Sequence, residues 1–201
     1  MALQYHDVEI RIKCRDGFTP GSTPKVWGNY VYLDTDERKF FTDNEHELLF
    51  TQTQYQLATN TDSEIDLTFF NHPVKSIHLV SGKATGNDWD SEYTFSSSTL
   101  YINGTPLFED TSPVYHHTVV PEMHSSDLPD DILEDLPTFT WPFCLGLSKS
   151  NPTGTLNFSR IDNAKLSISG PTGGNALHRV YAVNYNILRV KQGMGGVAFG
   201  N

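Results

Sequence analysis

Four groupings in the sequence carry side chains able to do chemistry. Asp127, Asp130, Asp131, Glu134 and Asp135 lie close together, and clustered carboxylates offer Ca²⁺ hard oxygen ligands. Their spacing fits no EF-hand loop and no glycine supplies the sharp turn, so the stretch reads as a solvated loop. His116, His117 and His124 are candidate metal ligands. Read as neighbours on a strand, His116 and His117 point to opposite faces and cannot share one ion. A cupin-type centre wants His-x-His on one face, and that pattern is absent. Gly193-Met194-Gly195-Gly196 has the glycine density of a phosphate-cradling loop. No helix is expected after it to hold the anion, so it reads as a glycine turn behind the last strand. Ser159, His178 and an aspartate can be drawn as a triad, but there is no Gly-x-Ser-x-Gly elbow. The sequence therefore assigns no catalytic residue, no metal ligand set and no cofactor, and the chain reads as non-enzymatic.

The elements that would position these residues are mostly strands. Val8, Ile10 and Ile12 alternate with Glu9, Arg11 and Lys13, the period of a half-buried strand. A second strand is expected from Val26 to Leu33. Asn44 as a cap and Glu47 three residues later predict a short helical connector over 44–54, although Thr51 and Thr53 are poor helix formers. Beyond residue 60 the pattern predicts strands near 65–69, 74–81, 92–103, 114–120, 139–147, 156–158, 164–169 and 177–190, with a stub at 197–199. Loops rich in Gly, Asn, Asp and Pro separate them, with variable exposed loops at 81–90 and 121–137. About eight strands spaced by turns is the profile of a sandwich or jelly roll.

Composition agrees. The chain has 201 residues, with 14 Lys and Arg against 24 Asp and Glu, a formal charge of −10. That acidity argues against a surface built to grip a phosphate backbone. Aromatics at 12% exclude an acidic disordered tail, and only 19% charged residues exclude a coiled coil. No run of about 18 apolar residues is present to span a bilayer. Cys14 and Cys144 are too few for a disulfide scaffold and read as free thiols.

Four segments together resemble the major capsid proteins of the nucleocytoplasmic large DNA viruses. The first is Ala2 to Val8. The second is Tyr32-Leu33-Asp34-Thr35-Asp36-Glu37-Arg38 with Phe40, Phe41 and His46-Glu47-Leu48-Leu49. The third is Phe70-Asn71-His72-Pro73-Val74-Lys75. The fourth runs from Pro152-Thr153-Gly154-Thr155 through Asn157 to Ala164, then Asn184 to Arg189 and Gly193 to Phe199. The signature positions expected to be structural are Asp34, Glu37, Arg38, Asn71, His72, Pro73, Asn157, Ser159, Arg160, Asp162, Asn184, Asn186, Arg189, Gly193, Gly195 and Gly196.

The resemblance implies an all-β fold: an antiparallel jelly-roll sandwich, the second half of a double jelly roll, with residual strands of the first. It divides the chain into terminal strands of a truncated first jelly roll at 1–42, a helical connector at 43–56 and a complete C-terminal jelly roll at 57–201. It implies a structural shell protein forming trimeric pseudo-hexagonal capsomers, as a fragment or split-gene product. The implied partners are itself or the missing first-jelly-roll half, and other capsid and minor capsid proteins. Neither direct nucleic-acid contact nor membrane insertion is expected. The implied location is the virion, after assembly in the host cytoplasm. The alternative reading is a carbohydrate-binding or receptor-facing jelly roll that displays Trp89 and Tyr93.

Overall fold

The computed structural model describes residues 2–14, 21, 25–59, 63–83, 93–125, 138–172 and 176–200. The chain divides into two units, Met1–Leu48 with Ile187–Ala198, and Leu49–Asn186 with Phe199–Asn201.

In the first unit, residues 2–14 and 25–34 form neither strand nor helix. Val8, Ile10 and Ile12, expected on one buried strand face, are 80%, 71% and 75% exposed. Trp27, Tyr30 and Tyr32 are exposed too. The alternating pattern is real, but a strand needs a paired neighbour, and among the described residues neither segment is paired in a sheet. The first regular element is helix α1, Thr35–Asp43. Asp34 caps it by accepting from the Glu37 amide (2.9 Å), and the Glu37 carboxylate accepts from the Asp34 amide (3.2 Å). This capping box satisfies two otherwise orphaned donors, and Asp36 and Glu37 put negative charge at the positive end of the helix. Asn44 ends the helix, its backbone N–H and side-chain amide both donating to Phe40 O. The helix thus precedes the interval expected for it.

Residues 44–54 are not helical. Strand β1 runs His46–Thr59, and Phe50, Gln52, Gln54, Gln56 and Ala58 are its more buried side. A period of two therefore governs the segment, and the β-branched Thr51 and Thr53 favour it. The sandwich gains its first strand within the stretch expected to be a connector.

The remaining strands are β2 (Glu64–Asp66), β3 (Pro73–Lys83), β4 (Ser97–Ile102), β5 (Thr105–Thr111), β6 (Thr138–Pro142), β7 (Leu156–Asn157), β8 (Ala164–Ser169), β9 (Ala176–Lys191) and β10 (Met194–Val197). One sheet has the order β1-β9-β3-β6, with β10 on β9 and β7 on β3; the other is β2-β8-β4-β5. Every pairing with a resolved register is antiparallel. These two interleaved orders are those of a jelly roll. The expectation of an all-β antiparallel jelly-roll sandwich is met.

Register explains the core. Trp141, Ile77 and Ala182 align across β6, β3 and β9, and Phe139, Leu79 and Val180 align beside them. In the second sheet Leu166 of β8 faces both Ile65 and Leu100. All nine are at most 2% exposed, so the inner faces of both sheets are dry. Each buried large side chain contributes about 1.5–3 kcal/mol over its exposed state.

The strand expected at 114–120 is absent. Tyr115–Val119 is a π-helical turn, and Val120–His124 continues it as helix α2 with Pro121 in its first turn. Val114, Val119 and Val120 favour a strand locally, but tertiary hydrogen bonds from the histidines override that preference. The strand expected from residue 92 starts only at Ser97, preceded by one bridge between Thr94 and Thr172. That expected over 139–147 stops at Pro142, and one further backbone bond, Phe143 N to Lys75 O (2.9 Å), closes the pairing with β3.

Candidate functional site

The signature residues gather into polar fasteners, described unit by unit.

In the second unit, the buried side of β1 is glutamine-rich. Gln54 donates from Nε2 to Asn71 O (2.7 Å) and accepts at Oε1 from Asn71 N (3.1 Å), closing a two-bond ring. The same Nε2 donates to Asn184 Oδ1 (3.0 Å), and Asn184 Nδ2 donates to Tyr185 O (3.1 Å). Asn186 repeats the device. Its Oδ1 accepts from Phe199 N (3.1 Å), and its Nδ2 donates to Phe199 O (2.8 Å) and to Gln52 Oε1 (2.6 Å). Asn184 and Asn186 are both fully buried. A buried amide without partners costs about 1–3 kcal/mol, so satisfying every member of such a row matters. Gln52 and Gln54, which complete these bonds, are not among the signature positions singled out from the sequence.

His72 turns the corner into β3. It has φ of 72°, an uncommon region for a non-glycine residue. Its amide donates to Ser159 Oγ (2.8 Å), and its carbonyl accepts from Phe158 N (3.0 Å). Pro73 stands opposite Asn157 at the start of β3. Asn157 Oδ1 accepts from Ser159 N (3.1 Å), starting the 3₁₀ turn Phe158–Arg160. Ser159 Oγ thus receives the chain at His72. Asp162 and Asn163 donate their amides to Asn103 Oδ1, each at 3.1 Å, which ties the β4–β5 turn to this loop. Arg160 and Asp162 form no ion pair with each other among the described residues; Asp162 acts through its backbone. Lys75 is buried, donates to Lys149 O (3.1 Å) and lies 5.6 Å over the Tyr185 ring.

Three histidines bond backbone carbonyls. His116 Nδ1 is 3.0 Å from Thr140 O, His117 Nδ1 is 2.9 Å from Thr138 O, and His124 Nδ1 is 2.9 Å from Cys144 O. A ring nitrogen facing a carbonyl must donate, which leaves Nε2 of a neutral ring as acceptor. Thr111 Oγ1 meets His116 Nε2 at 2.6 Å. Because these residues lie in a helical turn, the opposite-face argument for His116 and His117 does not apply. No cluster able to hold a metal occurs among the described residues. Burial pushes the His78 and His116 rings down to about 4, so both are neutral at physiological pH. His78 bonds Ser76 Oγ through Nε2 (2.8 Å) and Thr140 Oγ1 through Nδ1 (3.0 Å).

Tyr93 is 1% exposed and packs on Phe95, Phe139 and His178. Its expected display as a sugar-binding aromatic is therefore wrong: the ring is core. Trp89, residues 84–90 of the first loop and the acidic residues 127–135 lie outside the described residues.

In the first unit, Arg38 Nε donates to Leu33 O (2.9 Å) at the start of α1. Arg189 binds Glu47 (Nε to Oε1, 2.7 Å) and reaches Glu45 at 3.5 Å; Lys191 binds Glu45 at 3.0 Å. These pairs are half exposed, worth at most about 1 kcal/mol each. Gln192 (φ 51°) and Gly193 (φ 78°) make the hairpin turn between β9 and β10. Gly193 O accepts from Gln4 N (2.9 Å) and Tyr5 N (3.1 Å), so two distant signature segments meet there. A Cβ on Gly195 would lie 2.6 Å from Leu3 Cδ2. Gly193 suits the turn by its positive φ, and Gly195 lets the chain pass close to the end of the Leu3 side chain. An open cleft of about 540 Å³ beside them includes Arg189 and Lys191, whose charges are matched by Glu45 and Glu47.

Two antiparallel sheets fastened by buried side-chain amides place the chain in the jelly-roll class of folds. Comparison with known proteins gives the family. Residues 37–196 match the family model described as large eukaryotic DNA virus major capsid protein. The major capsid protein of Pyramimonas orientalis virus is 37% identical, over the whole of this chain and 57% of its own length. That of Paramecium bursaria Chlorella virus 1 is 26% identical, over the whole of this chain and 62% of its own. Among solved structures, the PBCV-1 virus capsid superposes with a TM-score of 0.73 at 25% identity, covering 86% of this chain and 56% of that one. The Faustovirus major capsid protein shares the fold, with a TM-score of 0.60 over 80% of this chain and 36% of that one. The chain belongs to the large eukaryotic DNA virus major capsid protein family. It spans between half and two thirds of the length of these two curated relatives.

Proposed function

We propose that this chain is the C-terminal jelly roll of a major capsid protein and builds the icosahedral shell of a large DNA virus without catalysing a reaction. The observation that carries the reading is the strand order, β1-β9-β3-β6 against β2-β8-β4-β5, in a chain whose relatives are major capsid proteins. A shell protein works through rigid shape and many modest contacts repeated by symmetry. Its capsomer is a pseudo-hexagonal trimer, its location is the virion, and assembly takes place in the host cytoplasm. Direct nucleic-acid contact and membrane insertion are not part of its work.

The first partner is a first-jelly-roll half, carried on the same polypeptide or a separate one; other capsid and minor capsid proteins follow. The exposed alternating side chains at Val8, Ile10 and Ile12 support this, because they are patterned for a sheet that the described residues do not supply. Co-expression of the chain with a first-jelly-roll polypeptide tests it. A stable complex is expected in which amides of residues 6–14 become protected from hydrogen exchange. Failure to associate, with those amides still unprotected, would count against the reading.

A further inference from the structure

We propose that His116 is the pin of a clasp between the edge strands of the two sheets, and that acid releases it. β5 ends the second sheet and β6 ends the main path of the first. His116 stands between them, with Nε2 on Thr111 Oγ1 at the end of β5 and Nδ1 on Thr140 O of β6. Its ring stacks on Trp141 (4.4 Å between centroids), with Phe108 at 5.8 Å and Tyr115 at 5.3 Å. The same helical segment continues along the edge. His117 takes Thr138 O, and His124 takes Cys144 O beyond the strand. Carbonyls two residues apart on a strand point to the same side. Imidazole N–H groups thus occupy the edge of β6 where a further strand would pair.

The clasp holds with a neutral ring, Nδ1 donating to Thr140 O and Nε2 accepting from Thr111 Oγ1. Protonation turns Nε2 into a donor and sends the Thr111 proton to Ser98 O or Phe108 O (3.2 and 3.0 Å), so the hydrogen bonds can rearrange. What opposes it is burial: the charge would sit in a fully buried site between Trp141 and Phe108. The groups around it offer no counter-charge. From β5 come Thr111 and Phe108, while Glu109 and Asp110 are exposed. From β6 come Thr140 and Trp141. His78 of β3 reaches the same Thr140 through its hydroxyl, and Tyr115 and His117 share the turn. No carboxylate pairs with His116 among the described residues. Burial already holds the ring at about 4 against 6.5 for a free imidazole. Opening the segment to water restores the free value, so falling pH favours the open form and bares two strand edges. The clasp belongs to the fold itself and stands independently of the capsid reading.

Hydrogen exchange of the 201-residue chain, corrected for intrinsic rates, tests this at pH 7.5 and 4.5. Linkage between those two ring values predicts a rise of roughly seventyfold in opening at pH 4.5. The rise should be confined to peptides covering 112–124 and 138–144, with β3 and β9 still protected. His116→Gln keeps a donor and an acceptor but cannot titrate, and should abolish the rise. Equal protection at both pH values, simultaneous loss in β3 and β9, or the same rise in the variant overturns the proposal. Should the variant not fold, NMR titration of the wild-type ring decides. A ring neutral to below pH 5 that charges as protection is lost supports the clasp; a ring titrating near 6.5 in a protected segment overturns it.

Discussion

Gln54 and Asn71 are joined side chain to backbone by two opposed hydrogen bonds, of 2.7 and 3.1 Å, the pattern that one strand residue makes with another. A glutamine amide has the same donor–acceptor pair as a peptide group. It extends the β1 side of the sheet to a corner that no strand reaches. Asn186 does the same for Phe199.

Replacing Gln54 with Ala should therefore cost about 1–3 kcal/mol, since the Asn71 peptide and Asn184 Oδ1 lose their partner together. Gln54→Glu should cost no less, because a carboxylate cannot donate to either oxygen. Urea denaturation of both variants measures this. A loss below about 0.5 kcal/mol for Gln54→Ala, the range of an ordinary surface change, would mean that water replaces the ring without penalty.

Gly154 has φ of 139°, and a Cβ there would sit 2.8 Å from the Phe143 carbonyl oxygen. Both the conformation and the contact oppose a side chain. Gly154→Ala should lower stability by roughly 1–3 kcal/mol. Gly196→Ala, with open space at the Cβ position and no positive φ, serves as the control and should change little. Thermal melts of the two variants compare them directly.

Acid should destabilise the whole fold as well as the clasp. His78 and His116 stay neutral in the folded chain down to about pH 4, whereas in the unfolded chain both bind protons near 6.5. Below 6.5 the unfolded state holds more protons, so stability is complete above that pH and falls as the pH drops towards 4. The loss from each ring is on the order of 3 kcal/mol. Denaturant midpoints measured from pH 7.5 to 4 should decline across that window, and His78→Asn should flatten the decline. A midpoint independent of pH in this range would contradict the burial of both rings.

Exposed alternation at Val8, Ile10 and Ile12 predicts association of the isolated chain, since unpaired apolar segments seek another edge. Sedimentation velocity should show concentration-dependent assembly that a triple Val8→Lys, Ile10→Lys, Ile12→Lys variant suppresses. A soluble, cooperatively unfolding wild-type monomer with residues 1–42 ordered would contradict it.

Legibility in the sequence followed the chemistry of each face. β3, β8 and β9 were readable because one face is apolar and the other polar or charged, as in Ala164 to Ser169. β1 was not, because its inward residues are Gln52, Gln54 and Gln56, which disguise the period of two. Asn44 and Glu47 imitated a helix start, while the true capping box, Asp34 with Glu37, lay within residues already singled out as a family signature. The 115–124 turn was hidden because Val114, Val119 and Val120 favour strands, and only the distant carbonyls of Thr138, Thr140 and Cys144 explain the helix. For the site, Asn184 and Asn186 lay among the signature positions. Their partners could not be named, since nothing local links position 186 to 52 or 199.

The central claim is that this jelly roll is a shell-building half. Electron microscopy of the chain co-expressed with a first-jelly-roll polypeptide tests it most directly. The account predicts trimers with a pseudo-hexagonal outline, each lobe containing this sandwich. Well-folded monomers of both polypeptides, with no complex at micromolar concentration, would contradict it.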